Sequence, residues 1–424
     1  MEIALLVIAA IIAIAPMLLN VWRCGLINPV SLFNAVYLVF ALGKAIYIVS
    51  GGHLNRAPIS EPTTITTLLF LSVAMAVLNL SYTAIFQKDD ARPLAREPDL
   101  SALPITSLAV IFPFFLVVFL FVANAYGVDI EHLFTHRDIV DADGRVETIP
   151  YLGWKLTNVV KFPFYAVLAA YAGGYRISRP AFVVGAVSFA AGVILHMIFA
   201  QRSGITLMLM DAALLLAIYR RLKWQILAAA AGLFILANFI VIATRMPHLI
   251  WRVFLEAIFG RSYFFDVVKI ERILDYATPD ALHQGVGALL VAFYHAPFIV
   301  SGELHHFIAR EVFGLDNAIP PSMIGELILN NGPGFVAPAM IILGALMAGL
   351  MVLAKKTKFP LVQLVAIVTV SRLAFFCANS NIDGAINRIA MDVLILVGGF
   401  LLLWIWPKIW SKNWLKGRLT RDKT

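Results

Sequence analysis

GFVAPAMIILGALMAGLMVLA, Gly334–Ala354, runs for 21 residues without a charge, and Lys355, Lys356 and Lys358 follow at once. An α-helix rises about 1.5 Å per residue and a bilayer core is about 30 Å thick, so a run of this length crosses it. Its apolar residues are continuous rather than alternating, which predicts a helix and not a barrel strand. Ten more such runs flank it, and the predicted spans are 2–22, 29–50, 63–86, 104–126, 153–174, 181–200, 204–219, 225–244, 334–354, 359–379 and 388–407. Hydrophobic residues make up 61% of the 424 and charged ones 14%. Soluble domains average roughly 45–50% and about 25%. The expected fold is all-α, a polytopic integral membrane bundle of about 11 helices, forming a single membrane domain over residues 1–424.

Charge orients the bundle. Arg23, Lys88, Arg92, Arg96, Arg176, Arg179, Arg220, Arg221, Lys223, the three lysines after Ala354 and six basic residues of the C-terminal tail fall on one side. These are 18 of the 33 Lys and Arg, against five acids on that side, while the remaining 15 face 20 acids. The positive-inside rule places that side, with the C-terminus, in the cytoplasm. An odd number of spans then puts the N-terminus outside. The net charge of +8 is explained by topology and requires no nucleic-acid partner. Trp406, Trp410 and Trp414 among the tail lysines suit the membrane interface. The first span lacks a basic n-region and is no signal peptide. Two cysteines, Cys24 and Cys377, make no disulfide framework.

Charges inside spans are costly and mark either function or paired structure. Lys44, Lys155, Lys161, Asp211, Arg372 and Asp392 all fall in the outer halves of their spans. Lys44 could meet Asp211, and Arg372 could meet Asp392. A transporter should place its site near the midplane, where the predicted spans carry no charge.

The chain between the eighth and ninth spans, residues 245–333, is a large extracytoplasmic loop carrying Arg245, Arg252, Arg261, Arg272 and Arg310. Leu249 to Tyr276 reads as an interfacial amphipathic helix rich in Trp, Phe and Tyr. Arg245 and Arg252 are seven apart and share a face. Guanidinium forks bind phosphate bidentately, although lipid headgroups or the loop's own carboxylates would serve as partners equally well. Arg202, in the short turn 201–204, breaks the positive-inside trend and calls for an anionic partner, either protein or phosphate. Residues 285–299 are apolar between Gly and Pro, and read as a re-entrant segment unless they span. The acidic loop 127–152 carries DADG, a turn signal, and is read as solvated. Candidate bases are Glu326 in PPSMIGELILNNGPG, then His305 of the His305–His306 pair, then Asp266. Glu326 could equally brace the loop. No HExxH, GxSxG, P-loop or dinucleotide fingerprint occurs, so neither metal nor cofactor is expected.

Two stretches resemble the O-antigen and capsule repeat-unit polymerases of the Wzy type. One is QRSGITLMLMDAALLLAIYRR (Gln201–Arg221), similar to that family's arginine-bearing turn, apolar span and basic cap. The other is PPSMIGELILNNGPGFVAPAMIILGALMAGLM (Pro320–Met351), similar to its Pro, Gly-Glu, Asn-Gly run entering a Gly-rich span. An Arg-x10-Gly pattern is missing from the large loop. The resemblance implies an inverting, metal-independent membrane glycosyltransferase. Its donor and acceptor would be undecaprenyl-diphosphate-linked glycans held in membrane lipid, with a chain-length regulator as an open partner. Arg202, Arg245, Arg252, Arg261 and Arg272 would then bind the diphosphate, and Glu326, His305 or Asp266 would take the acceptor proton. An O-antigen ligase-like enzyme shares this donor and chemistry, and a lipid-linked oligosaccharide flippase is the non-enzyme alternative.

Overall fold

The computed structural model describes residues 2–49, 61–86, 139–140, 146–147, 160–172, 179–198, 202–218, 225, 232, 265–277, 305, 307–314, 319–357, 360–380, 382, 384–386 and 388–401. In chain order its elements are α1 (Glu2–Cys24), α2 (Val30–Val49), α3 (Glu61–Ile85), β1 (Ile139–Val140), β2 (Val146–Glu147), α4 (Phe162–Ala172), α5 (Arg179–Ile198) and α6 (Arg202–Ile218). They continue with α7 (Val267–Tyr276), α8 (Ser322–Asn331), α9 (Val336–Lys356), α10 (Pro360–Asn379) and α11 (Gly384–Leu401). The described chain is all-α apart from one two-rung antiparallel ladder, Ile139 opposite Glu147 and Val140 opposite Val146. Those rungs bracket the DADG turn signal, which itself lies outside the described residues.

Among the described residues six helices are long and apolar enough to cross a membrane: α1, α2, α3, α9, α10 and α11. They match six of the predicted spans to within four residues at their starts. The predicted spans 153–174, 181–200 and 204–219 correspond to the shorter apolar helices α4, α5 and α6. Predicted spans 104–126 and 225–244 and the segment 285–299 lie outside the described residues. α1 exposes a row of large apolar residues, among them Ile3, Val7, Ile11, Leu18 and Trp22. A row of that kind is consistent with lipid contact.

The chain divides into two compact units. The first holds α1, α2, α3, α7, α8, α9 and most of α10, with α3 between α1 and α9. Gly344 of α9 meets α3 where a Cβ would sit 2.8 Å from the Leu78 carbonyl and against the Ser81 hydroxyl, so only glycine allows this approach. α2 is α-helical over Val30–Val36 and Lys44–Val49, with a π-helical middle over Tyr37–Gly43.

A line of polar rungs runs along α3. Thr64 donates to Glu271 (3.0 Å) and Tyr37 shares a bond with Ser72 (2.6 Å). Asn34 and Asn79 exchange bonds of 3.0 and 2.8 Å, and Asn20 donates to Thr83 (3.3 Å). Asn28 donates to Asn20 (2.7 Å), and the Cys24 thiol to the Phe86 carbonyl (3.1 Å). Lys355 closes the line, 3.6 Å above the Phe86 ring. From Thr64 to Thr83 the helix rises about 28 Å, so the rungs cover nearly a full bilayer core. Interhelical hydrogen bonds of this kind hold membrane helices together where lipid gives no hydrophobic drive.

The second unit contains α4, α5, α6, the start of α10 and most of α11. α4 packs on α5, and Ser188 bridges them by donating to the Val160 carbonyl and accepting from Phe164 N. Gly204 lies beneath the His196 ring, with no room for a Cβ. Phe162 meets Phe400 edge-on at 5.5 Å.

Candidate functional site

One end of the first unit gathers the end of α2, α7, α8, the last turn of α10 and the chain just after it. α7 begins at Asp266, whose backbone is extended (φ −139°, ψ 162°) and whose carboxylate accepts from Val268 N and Lys269 N, each at 3.0 Å. This is a side-chain N-cap. It corrects the expectation of one helix from Leu249 to Tyr276, because the chain is extended at Phe265 and Asp266 and a new helix starts at Val267. Phe265 N bonds the Ala378 carbonyl at 3.0 Å and its ring stacks on Phe33 at 6.1 Å, which fixes that break to α10 and α2. α7 is packed into the protein. Asp266, Lys269 and Glu271 are buried along with Val267, Ile270 and Ile273.

Asp266 also takes an ion pair from Lys44 of α2 at 3.0 Å, with both side chains almost fully buried. The third candidate base is thus a cap and a counter-ion. Lys269 is buried too and donates to the Pro320 carbonyl at 2.9 Å. Burial pushes its ammonium down to about 8; the Asp266 carboxylate opposes that shift, and the Lys44 charge adds to it. Burial likewise raises the Glu271 carboxyl above its ordinary range, against hydrogen bonds from Thr63 and Thr64.

Within the run PPSMIGELILNN, residues Ser322–Asn331 form a short helix. Pro321 precedes it, Met323, Ile324, Leu327 and Ile328 supply helical spacing, and Gly332 ends it at φ 85°. Proline before and glycine after are the signal that could have found it. α8 is buried from Ser322 to Asn330. Gly325 packs on α7 where a Cβ would lie 2.7 Å from Ile273 Cδ1. Glu326 lies inside this helix, 1% exposed, and its Oε2 accepts from Ile382 N at 2.6 Å. A carboxylate held by a backbone amide has a fixed direction.

Beside it, His305 Nε2 lies 3.5 Å from the Ser380 hydroxyl, and the His305 carbonyl accepts from Ile319 N at 3.0 Å. The first two candidate bases thus face the same stretch, Ser380 to Ile382, and both the imidazole and Ser380 are partly exposed. Asn330, one turn beyond Glu326 on α8, is 4% exposed, and neither atom of its carboxamide has a hydrogen-bond partner among the described residues. Sequence reading missed Asn330 and Lys269, because nothing in their local pattern separates them from surface residues.

Arg272 is half-buried on α7 with its guanidinium 5.2 Å from the Phe313 ring, while Arg310 is exposed. Arg372 is buried on α10 and donates to Ser371 at 2.9 Å; Arg388 lies over Phe376 at 5.7 Å. In the second unit Asp211 accepts from the Tyr165 hydroxyl at 2.7 Å, and Asp392 is buried. Arg202 is the first residue of α6. Arg245, Arg252 and Arg261 lie outside the described residues. Among the described residues no three His, Cys, Asp or Glu cluster as a metal site would require. Family models, curated proteins and solved structures all return no match to this chain.

Proposed function

We propose that this chain is a membrane glycosyltransferase that joins undecaprenyl-diphosphate-linked oligosaccharide units into a surface polysaccharide at the outer face of the bacterial cytoplasmic membrane. In this reading eleven spans cross the bilayer, the N-terminus lies outside and the basic C-terminal tail inside. The junction around Glu326 then opens outward, and residues 245–333 form the extracytoplasmic loop that contributes to it. The observation that carries the reading is Glu326, a carboxylate buried in an apolar helix and aimed by Ile382 N.

An acceptor hydroxyl attacks the anomeric carbon of the donor sugar, and the bond from that carbon to the diphosphate oxygen breaks. The leaving diphosphate keeps the electron pair, the configuration inverts, and the hydroxyl proton passes to Glu326. Arg252, Arg261 and Arg272 would neutralise the diphosphate as charge builds on it, a term of several kcal/mol per donor in order of magnitude. His305, beside Ser380, is the second group able to carry a proton.

The test is an assay of purified protein with lipid-linked repeat units extracted from the source cells, the products being resolved on a gel. Glu326→Gln keeps an oxygen to accept from Ile382 N but loses the base, so the fold should survive. The wild type should give a ladder of lengthening glycans, and the variant a rate roughly 100-fold lower or less. A ladder of normal intensity from Glu326→Gln would remove Glu326 from the mechanism. Movement of the lipid-linked unit across proteoliposomes without any extension would make the chain a transporter.

A further inference from the structure

We propose that Asn330 binds the acceptor sugar, as a subsite that positions the attacking hydroxyl against Glu326; this rests on the glycosyltransferase reading above. Residues four apart share a helix face, so Asn330 and Glu326 lie on the same side of α8. That side faces the end of α10 and the chain after it, since Glu326 bonds Ile382 N. Buried carboxamides in folded proteins nearly always find partners within the protein. Asn330 is buried with both its amide nitrogen and its carbonyl oxygen unpartnered. Asn379, the last residue of α10, presents a second buried carbonyl oxygen with no partner. Two carboxamides thus have hydrogen-bonding capacity unfilled among the described residues, one on α8 a turn beyond Glu326 and one three residues before Ile382, whose amide Glu326 accepts.

The chemistry of such a cluster selects its ligand. Phosphate carries only acceptors at high charge and is repelled by the Glu326 carboxylate. An apolar lipid tail would leave three polar atoms unsatisfied. A sugar hydroxyl both donates and accepts, so it can satisfy a carboxamide and point its proton at a carboxylate. Neighbouring hydroxyls on the ring would take up the remaining capacity. The diphosphate end of the substrate then belongs elsewhere, and the Glu326–Asn330 face takes the neutral, polyhydroxylated end.

The experiment uses the repeat-unit oligosaccharide released from its lipid by mild acid, offered to the intact protein as a soluble acceptor with the lipid-linked unit as donor. Asn330→Leu should raise the KM for soluble acceptor about tenfold, as expected for one or two lost hydrogen bonds, and leave the KM for lipid-linked donor unchanged. Asn330→Ser, which retains a hydroxyl, should fall between, and it replaces the leucine variant if that one fails to fold. A folded variant with unchanged acceptor KM, or with acceptor and donor KM raised equally, overturns the subsite. A wild type that extends nothing, yet is stabilised by the oligosaccharide against heat in an Asn330-dependent way, keeps the subsite and overturns the reaction. A wild type that neither extends nor binds the oligosaccharide overturns both.

Discussion

Beside α3 the buried asparagines come in exchange with partners, whereas the buried asparagine of α8 has none among the described residues. Asn34 and Asn79 each donate to the other's oxygen, and Asn20 is held between Asn28 and Thr83. Asn330 is as deeply buried and satisfies neither of its polar ends. The same side chain therefore serves as fastening in one place and as an unfilled socket in the other. The contrast also bears on transport. The rungs from Tyr37–Ser72 to Asn20–Thr83 are amides and hydroxyls closed on each other, which suits a fixed weld better than a conduit, although the buried Tyr82 hydroxyl of α3 has no partner among the described residues.

If α3 and its neighbours are the fixed half of this comparison, breaking their contacts should affect stability first. The largest loss is expected from Lys44→Met, which leaves Asp266 charged and buried without its ion-pair partner. Breaking a buried pair from one side costs about 3–5 kcal/mol, so thermal unfolding in detergent should occur at markedly lower temperature. Lys44→Met combined with Asp266→Asn should recover much of the loss. Full stability in the single variant would mean that the pair contributes little.

Next in size is a pH effect. The Lys269 ammonium titrates near 8 in the folded protein and near 10.4 in an unfolded chain. Between those values the unfolded state holds a proton that the folded state lacks, so stability rises with pH across that window. The gain is on the order of 3 kcal/mol. Lys269→Met should abolish the slope, and an unchanged slope would exclude Lys269 as its source.

Gly344→Val should cost about 1–3 kcal/mol by overpacking the contact between α9 and α3. The smallest effect is expected from Asn79→Leu, about 1 kcal/mol, with Asn34→Leu added on top restoring part of it. Both are read by the same melting experiment. By contrast, Asn330→Leu should leave the melting temperature level or raise it, since an apolar side chain buried there has no unsatisfied amide. A sharp fall on Asn330→Leu would mean that α8 is welded like α3.

The contrast was only half visible in the chain. Long uncharged runs marked α1, α2, α3, α9 and α10 nearly to their ends, because crossing a bilayer demands a length that composition alone reveals. Lys44 stood out as a buried charge, but its partner Asp266 is 222 residues away, and spacing is silent at that range. The apolar and aromatic pattern of residues 249–276 read as one helix, yet residues 265 and 266 are not helical and the Asp266 carboxylate, bonding two backbone amides, caps a helix that starts at Val267. Pro321 and Gly332 bound a short buried helix inside what was read only as part of a long loop between spans. Glu326 was singled out in the sequence as a candidate base, whereas Asn330 had no feature to set it apart until its surroundings were known.

The π-helical stretch Tyr37–Gly43 has a meaning of its own for the way this chain tolerates change. A π turn holds one residue more than an α turn, so it acts as a phase adjuster between two faces of α2. Asn34 and Tyr37 keep the phase that meets α3, while Lys44 keeps the phase that meets Asp266. The same seven residues wound as α-helix would turn everything beyond them by roughly 100°, carrying Lys44 away from Asp266. Loss of one residue from that stretch would instead let α2 run as an uninterrupted α-helix with its two faces still in phase. A deletion here is therefore a shortening that the packing can absorb, whereas straightening the helix at full length is a rotation.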